Sequence, residues 1–141
     1  MLGVVHAPMP PDRASDLIAW AEGMDHLLRD GHPVRNDLSS AALAQGAIVF
    51  LNEGAHFYPL GNGAFVQPAR FVALTSIAYR LARVPAGDGV ATVSLNGPVG
   101  HDYAGGHALL IGAGGVLLDE KGDPVRCVMV THDLVLEPYP A

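Results

Sequence analysis

At 141 residues, half of them apolar and 16% charged, the chain is long enough to bury a core and too apolar to be disordered. Its net charge of -6, with the single lysine and the arginines scattered singly, excludes the basic footprint of a nucleic-acid binder or of a protein drawn to anionic membrane. The single cysteine, Cys127, excludes an internal disulfide framework and suits a reducing compartment, and no apolar run approaches the ~20 residues of a membrane span.

The chain opens with "LGVVHA" at 2 to 7, a β-rich run halted by the prolines of "PMPPD". The start has no positively charged region ahead of an apolar one, so no signal peptide is expected and the expected location is cytoplasmic. "DLIAWAEG" at 16 to 23 alternates as the returning strand, and "DHLLRDGHPV" at 25 to 34 reads as strand with a turn at Asp30 and Gly31. "RNDLSS" is a polar loop. "GAIVFLN" at 46 to 52 is a continuous apolar strand of the kind buried on both faces.

Residues 62 to 70 fit a short helix curtailed by Pro68. "TSIAYRLARVPAG" at 75 to 87 is a clearer helix: Ile77, Leu81 and Val84 share one face, Arg80 and Arg83 point elsewhere, and Pro85 and Gly87 stop it. "GVATVSL" at 89 to 95 is a strand. Asp102 is placed to N-cap the next helix, which runs through Ala108 and Ile111 to the glycines at 114 and 115. "GVLLDEKGDPVRCVMV" reads as strand, turn at Lys121–Asp123, and strand. The expected organisation is a partial antiparallel meander over 1–40, followed over 41–141 by an α/β domain with a mixed sheet flanked by helices. The meander holds too few strands to stand alone and is expected to pair with something this chain does not contain or with a second copy.

Asp102 carries the most chemistry. Between a strand and a helix, its carboxylate would sit at the C-terminal edge of a sheet, where α/β proteins bind ligands, and an oxygen ligand there suits Mg²⁺. An N-cap explains the same aspartate with no ligand at all. His101 and His107 flank it, but an H-D-x4-H spacing matches no standard zinc pattern, so structural or solvent-facing histidines are expected. Thr75 and Ser76, at a helix start, are either caps or a seat for phosphate. "GAGG" at 112 to 115 follows a helix and reads as a C-cap and tight turn, and Cys127 in "VRCVMV" reads as a core residue.

Three stretches together resemble the inositol monophosphatase superfamily of Mg²⁺-dependent, lithium-sensitive phosphatases. "GVVHAP" is similar to the family's "GVV-x-x-P" strand. "TSIAYRLARVPAGDGVATV" resembles its "G-S-A-A-x-x-L-x-x-V-A-x-G-x-x-D-A" helix and following strand. "HDYAGGHALLIGAGGVLLDEKGDPV" is similar to its second signature, "W-D-x-A-A-G … E-A-G-G-x-x-x-D-x-x-G-x-P". The resemblance implies a layered αβαβα fold with the active site between two domains, and phosphomonoester hydrolysis of a sugar, inositol or nucleotide phosphate. It puts the family's metal- and substrate-contacting aspartate at Asp102, with its substrate-facing turn at Thr75, Ser76 and Ile77 and its tryptophan position at His101.

Departures from the family accompany the match. Gly105 replaces its second alanine, and its acidic substrate contact is replaced near Leu95 and Asn96. Its Glu-Glu and Asp-Pro-Ile-Asp-Gly-Thr motifs, which hold most of the metals, do not occur, and Asp12, Asp16, Glu22 and Asp25 lie in no such motif. Two readings follow. The chain is the C-terminal portion of such a phosphatase, weak or inactive alone and completed by a missing N-terminal half, or it is a degenerate, non-catalytic relative that binds a ligand or forms a homodimer. A zinc hydrolase built from the seven histidines is a distant third.

Overall fold

A computed structural model of the chain describes residues 1–95, 100–130 and 133–139. Its architecture is mixed α/β. Strands β1 (Leu2–Ala7), β2 (Asp16–Ala21), β3 (Leu27–Arg29) and β4 (His32–Val34) form an antiparallel sheet in sequence order. The β3–β4 turn has positive φ at both Asp30 (50°) and Gly31 (79°), the mirror-image turn whose twist suits a two-residue hairpin. Period-two alternation turns Val5, Ile18, Trp20 and Leu27 inward, while Leu2, Val4 and Leu17 face outward and are exposed.

Strands β5 (Ile48–Asn52), β6 (Arg70–Leu74) and β7 (Ala91–Thr92) make a parallel sheet in the order β6-β5-β7. Helices α1 (Pro59–Phe65) and α2 (Ile77–Arg83) provide its crossovers, and α3 (Gly100–Gly112) follows β7. As the continuous apolar run requires, β5 is buried on both faces. Phe50 packs with Leu74, Leu81, Tyr103 and Leu110 on one side, and Val49 and Leu51 pack with Ala55, Val66 and Ala69 on the other. Strands β8 (Val125–Val130) and β9 (Asp133–Pro138) form an antiparallel hairpin beside α3.

The meander is not left bare on its inner face. Tyr79, Ala82 and Ala86 from α2 and its C-terminal flank, with Leu109 and Ala113 from α3 and the residue after it, close over Val5, Ile18, Trp20 and Leu27 in one apolar cluster. Two of the chain's own helices cover this face.

Close backbone approach explains the glycines of α3. A Cβ on Gly106 would stand 2.4 Å from the Cβ of Leu81, and one on Gly112 would stand 2.5 Å from the Trp20 ring. Neither position admits a side chain without displacing its neighbour. One helix can thus lie against α2 and the meander at once.

Several boundaries differ from expectation. Helix α1 begins at Pro59, the favoured first helical position for proline, and ends before Pro68, so that Arg70 belongs to a strand. Leu118 makes only an isolated bridge to Pro124, and the partner of β8 is β9. The turn at 121 to 123 stands, fixed by the Asp119 carboxylate accepting from the backbone N–H groups of Lys121 and Asp123. Among the described residues, no helix is long and apolar enough to cross a membrane.

Candidate functional site

The C-terminal edge of the parallel sheet gathers the residues singled out by sequence. Strand β6 runs through Leu74 into Thr75 and Ser76, which are exposed and lead into α2. Ser76 adopts φ of 54° and its Oγ accepts the backbone N–H of Tyr79 at 3.3 Å, so the capping role is realised. A non-glycine residue in the left-handed region is strained, and such strain concentrates at functional turns.

Helices α2 and α3 run in the same direction. Their C-terminal ends meet one segment: Asn36 Nδ2 donates to the carbonyls of Val84 and Pro85, and Leu38 N donates to Ala113 O. At the other end Gly106 lies over Ala78 and Leu81. Asp102 is one turn before that crossing and Ser76 two residues before Ala78, so both stand at the same end of the pair.

Asp102 does not cap α3. The helix begins at Gly100, which makes Asp102 its third residue, in the acidic first turn that the helix dipole favours. Its side chain is 44% exposed, and its Oδ1 lies 3.6 Å from Nε2 of the exposed His101. The Leu95–Asn96 position falls partly outside the described residues: Leu95 is exposed, and Asn96 is not described.

The remaining sequence candidates are structural. His107 is buried, and its Nδ1 accepts the backbone N–H of Cys127 at 3.2 Å, which puts the ring proton on Nε2. Burial lowers its pKa and keeps it neutral. The Cys127 thiol is half-buried and its pKa is pushed up by that burial, the opposite of activation. "GAGG" is the C-terminal turn expected, with Gly114 at φ 73° and Gly115 N donating to Leu110 O at 2.8 Å.

Sequence reasoning missed an ionic cluster joining the meander to α2. Asp16 lies in phase with Ile18 and Trp20 on the inner face of β2 and has no exposed side-chain surface. Arg29 donates two hydrogen bonds to it, at 2.8 and 2.7 Å, and Tyr79 Oη donates a third at 2.8 Å. Arg29 also reaches both oxygens of Asp88, which takes a further bond from Arg83 Nε, while Arg83 Nη2 donates to Asp12. Burial alone would raise the pKa of Asp16 and Asp88, but the guanidinium partners outweigh it and hold both below the usual carboxylate range. Tyr79, buried and bonded to Asp16, is pushed up to about 12. This cluster is paired internally and reads as a clamp.

A hollow of about 600 Å³ lined by Gln45, Gln67, Arg70 and Phe71 opens at the start of β6, the edge opposite Asp102. It brings no carboxylate or histidine together, so the chemistry points to the other edge. Among the described residues no three His, Cys, Asp or Glu side chains converge to hold a metal ion. Asp102 alone falls short of the oxygen set that Mg²⁺ takes, so these residues do not form a complete magnesium site. The chain matches no protein-family model and no curated protein.

Proposed function

We propose that this chain supplies one side of a phosphomonoester-hydrolysing site of the inositol monophosphatase type, within the layered αβαβα architecture that the resemblance implies. Asp102 is its magnesium-facing carboxylate, and Thr75 and Ser76, with His101 alongside, orient a phosphorylated sugar, inositol or nucleotide. The observation that supports this reading is the placement of Asp102 and the strained Ser76 turn at the same end of α2 and α3, toward the C-terminal edge of the parallel sheet. A magnesium ion held there by Asp102 and further carboxylates would lower the pKa of water and polarise the phosphoryl group. One carboxylate does not hold it alone. The hydrolytic step therefore depends on carboxylates brought by a paired segment, and this chain by itself is a weak catalyst. A cytoplasmic location suits its single cysteine.

The test is Mg²⁺-dependent release of phosphate from a panel of sugar, inositol and nucleotide monophosphates. Turnover lost in Asp102→Asn supports the reading, and equal turnover in both proteins contradicts it. A second reading, a non-catalytic ligand-binding or dimerising module, draws on the outward face of the meander. Leu2, Val4 and Leu17 are exposed there at 68%, 52% and 40%, beside β1 at the end of the sheet. Phosphate-ester binding without turnover, in a protein that sediments as a dimer, favours this second reading.

A further inference from the structure

Two arginines three residues apart on α2 have opposite surroundings. Arg83 is paired with Asp12 and Asp88 and lies over the Phe50 ring at 5.3 Å. Arg80 is 2% exposed and donates one bond, from Nη1 to the Leu74 carbonyl at 2.7 Å. Its Nε and Nη2 are buried with no hydrogen-bond partner among the described residues. Among the described residues no carboxylate makes an ion pair with it, and the nearest ionisable group acting on it is the Tyr103 phenol. Arginine stays protonated in proteins, so a buried guanidinium without a counter-charge is costly and calls for an anion.

A second orphan lies on the same face of the parallel sheet. Ser94 Oγ is also buried without a partner. Val93, just before it, packs with Val49 and Leu51 on the far face of the sheet, so Ser94 turns to the face that carries Phe50, Leu74 and α2. Asn52 is level with Leu74, and Thr92 with Phe50; continuing that register sets Ser94 level with Asn52 and Leu74. Leu74 is the residue whose carbonyl Arg80 grips. Two guanidinium nitrogens and one hydroxyl thus remain unsatisfied at one edge and on one face.

We propose that Arg80 and Ser94 form a closed subsite for the phosphate group of a ligand, distinct from the Asp102 carboxylate. The guanidinium fork presents Nε–H and Nη2–H in the geometry that matches two phosphate oxygens, and the serine hydroxyl donates to a third. In the low-dielectric interior the charge-assisted bonds to the desolvated anion are strong. The assignment rests on the phosphomonoester reading only for choosing phosphate among oxyanions.

The test is thermal unfolding of the intact chain in EDTA, titrated with inorganic phosphate against sodium chloride of equal ionic strength, with sulfate and acetate arms. The expected result is a saturable rise in Tm with phosphate that is absent in Arg80→Met and several-fold weaker in Ser94→Ala. Arg80→Met, with no charge to bury, should be at least as stable as the wild type in phosphate-free buffer. If that variant does not fold, Arg80→Lys reports instead: it keeps the charge and loses the fork, and an apparent Kd about tenfold weaker is expected. A sulfate response lost together with the phosphate response also supports the subsite. The proposal is overturned by a wild type that does not respond to phosphate, by arginine variants that respond as the wild type does, or by a response to acetate alone. Because magnesium is chelated, Asp102→Asn should retain the response, so this result and the metal reading stand or fall separately.

Discussion

Arg29 holds Asp16 through two hydrogen bonds of 2.8 and 2.7 Å, and the same guanidinium reaches Asp88, 59 residues further along the chain. The pair lies where β2 and β3 meet the end of α2, under the apolar cluster that seals the meander. It ties the antiparallel sheet to α2, the helix that Ser76 caps.

Removing one partner of that clamp should be more harmful than removing both. Asp16→Ala leaves Arg29 and the Tyr79 hydroxyl partly uncompensated in a buried setting, and should cost about 3 to 5 kcal/mol in urea unfolding. The double variant Asp16→Leu with Arg29→Met should recover a large part of the loss. Additive losses would show that the two residues act separately.

Acid should weaken the fold in two stages. His107 has its pKa lowered by burial, so its stabilising contribution is complete above its unfolded value of 6.5 and is lost as pH falls toward its folded value. Asp16 and Asp88 have folded pKa values below 3.8, so their contribution is present above that value and disappears as pH falls further through the folded values. Tm measured from pH 8 to pH 3 should therefore drop first below about 6.5 and again below about 4. His107→Gln should flatten the first stage and leave the second.

Gly106→Ala should overpack the contact with Leu81 and destabilise by about 1 to 3 kcal/mol. Gly61→Ala is the control: it lies in α1 with nothing within 4 Å of an added Cβ, and should be neutral or stabilising by up to about 1 kcal/mol. Chemical denaturation of the two variants side by side reads the difference.

The outward meander face supports an assembly prediction. Leu17→Glu puts a charge among exposed Leu2, Val4 and Leu17 without touching the inner face. If that face pairs two copies, sedimentation should show dimer in the wild type and monomer in the variant, while identical profiles contradict pairing there.

The strands of the meander were legible because their apolar residues alternate and Asp30-Gly31 is a turn dipeptide whose positive φ values are those the hairpin needs. The fully apolar β5 was legible for the same local reason. Strand β6 was not, because "ARFVAL" follows Pro68 closely and reads as the tail of the helix before it. The ionic cluster was out of reach: its partners are 5 to 71 residues apart in sequence, all but one pair by 13 or more, and a lone arginine on a helix reads as solvated. One local signal pointed to it. Asp16 sits in phase with Ile18 and Trp20, so a strand that buries Trp20 must bury Asp16 as well. The site was half legible: its residues and their edge of the sheet could be named, but the third-residue position of Asp102 in α3 and the buried state of Arg80 needed the packing.

Asp102 is proposed to face magnesium at the edge where α2 and α3 begin. The direct test is calorimetric titration of Mg²⁺ into the chain with saturating inorganic phosphate, whose oxygens add to the single carboxylate that this chain supplies. Weak, phosphate-dependent binding is expected in the wild type and its loss in Asp102→Asn. Equal binding by both proteins, or none by either under these conditions, would contradict the role of Asp102.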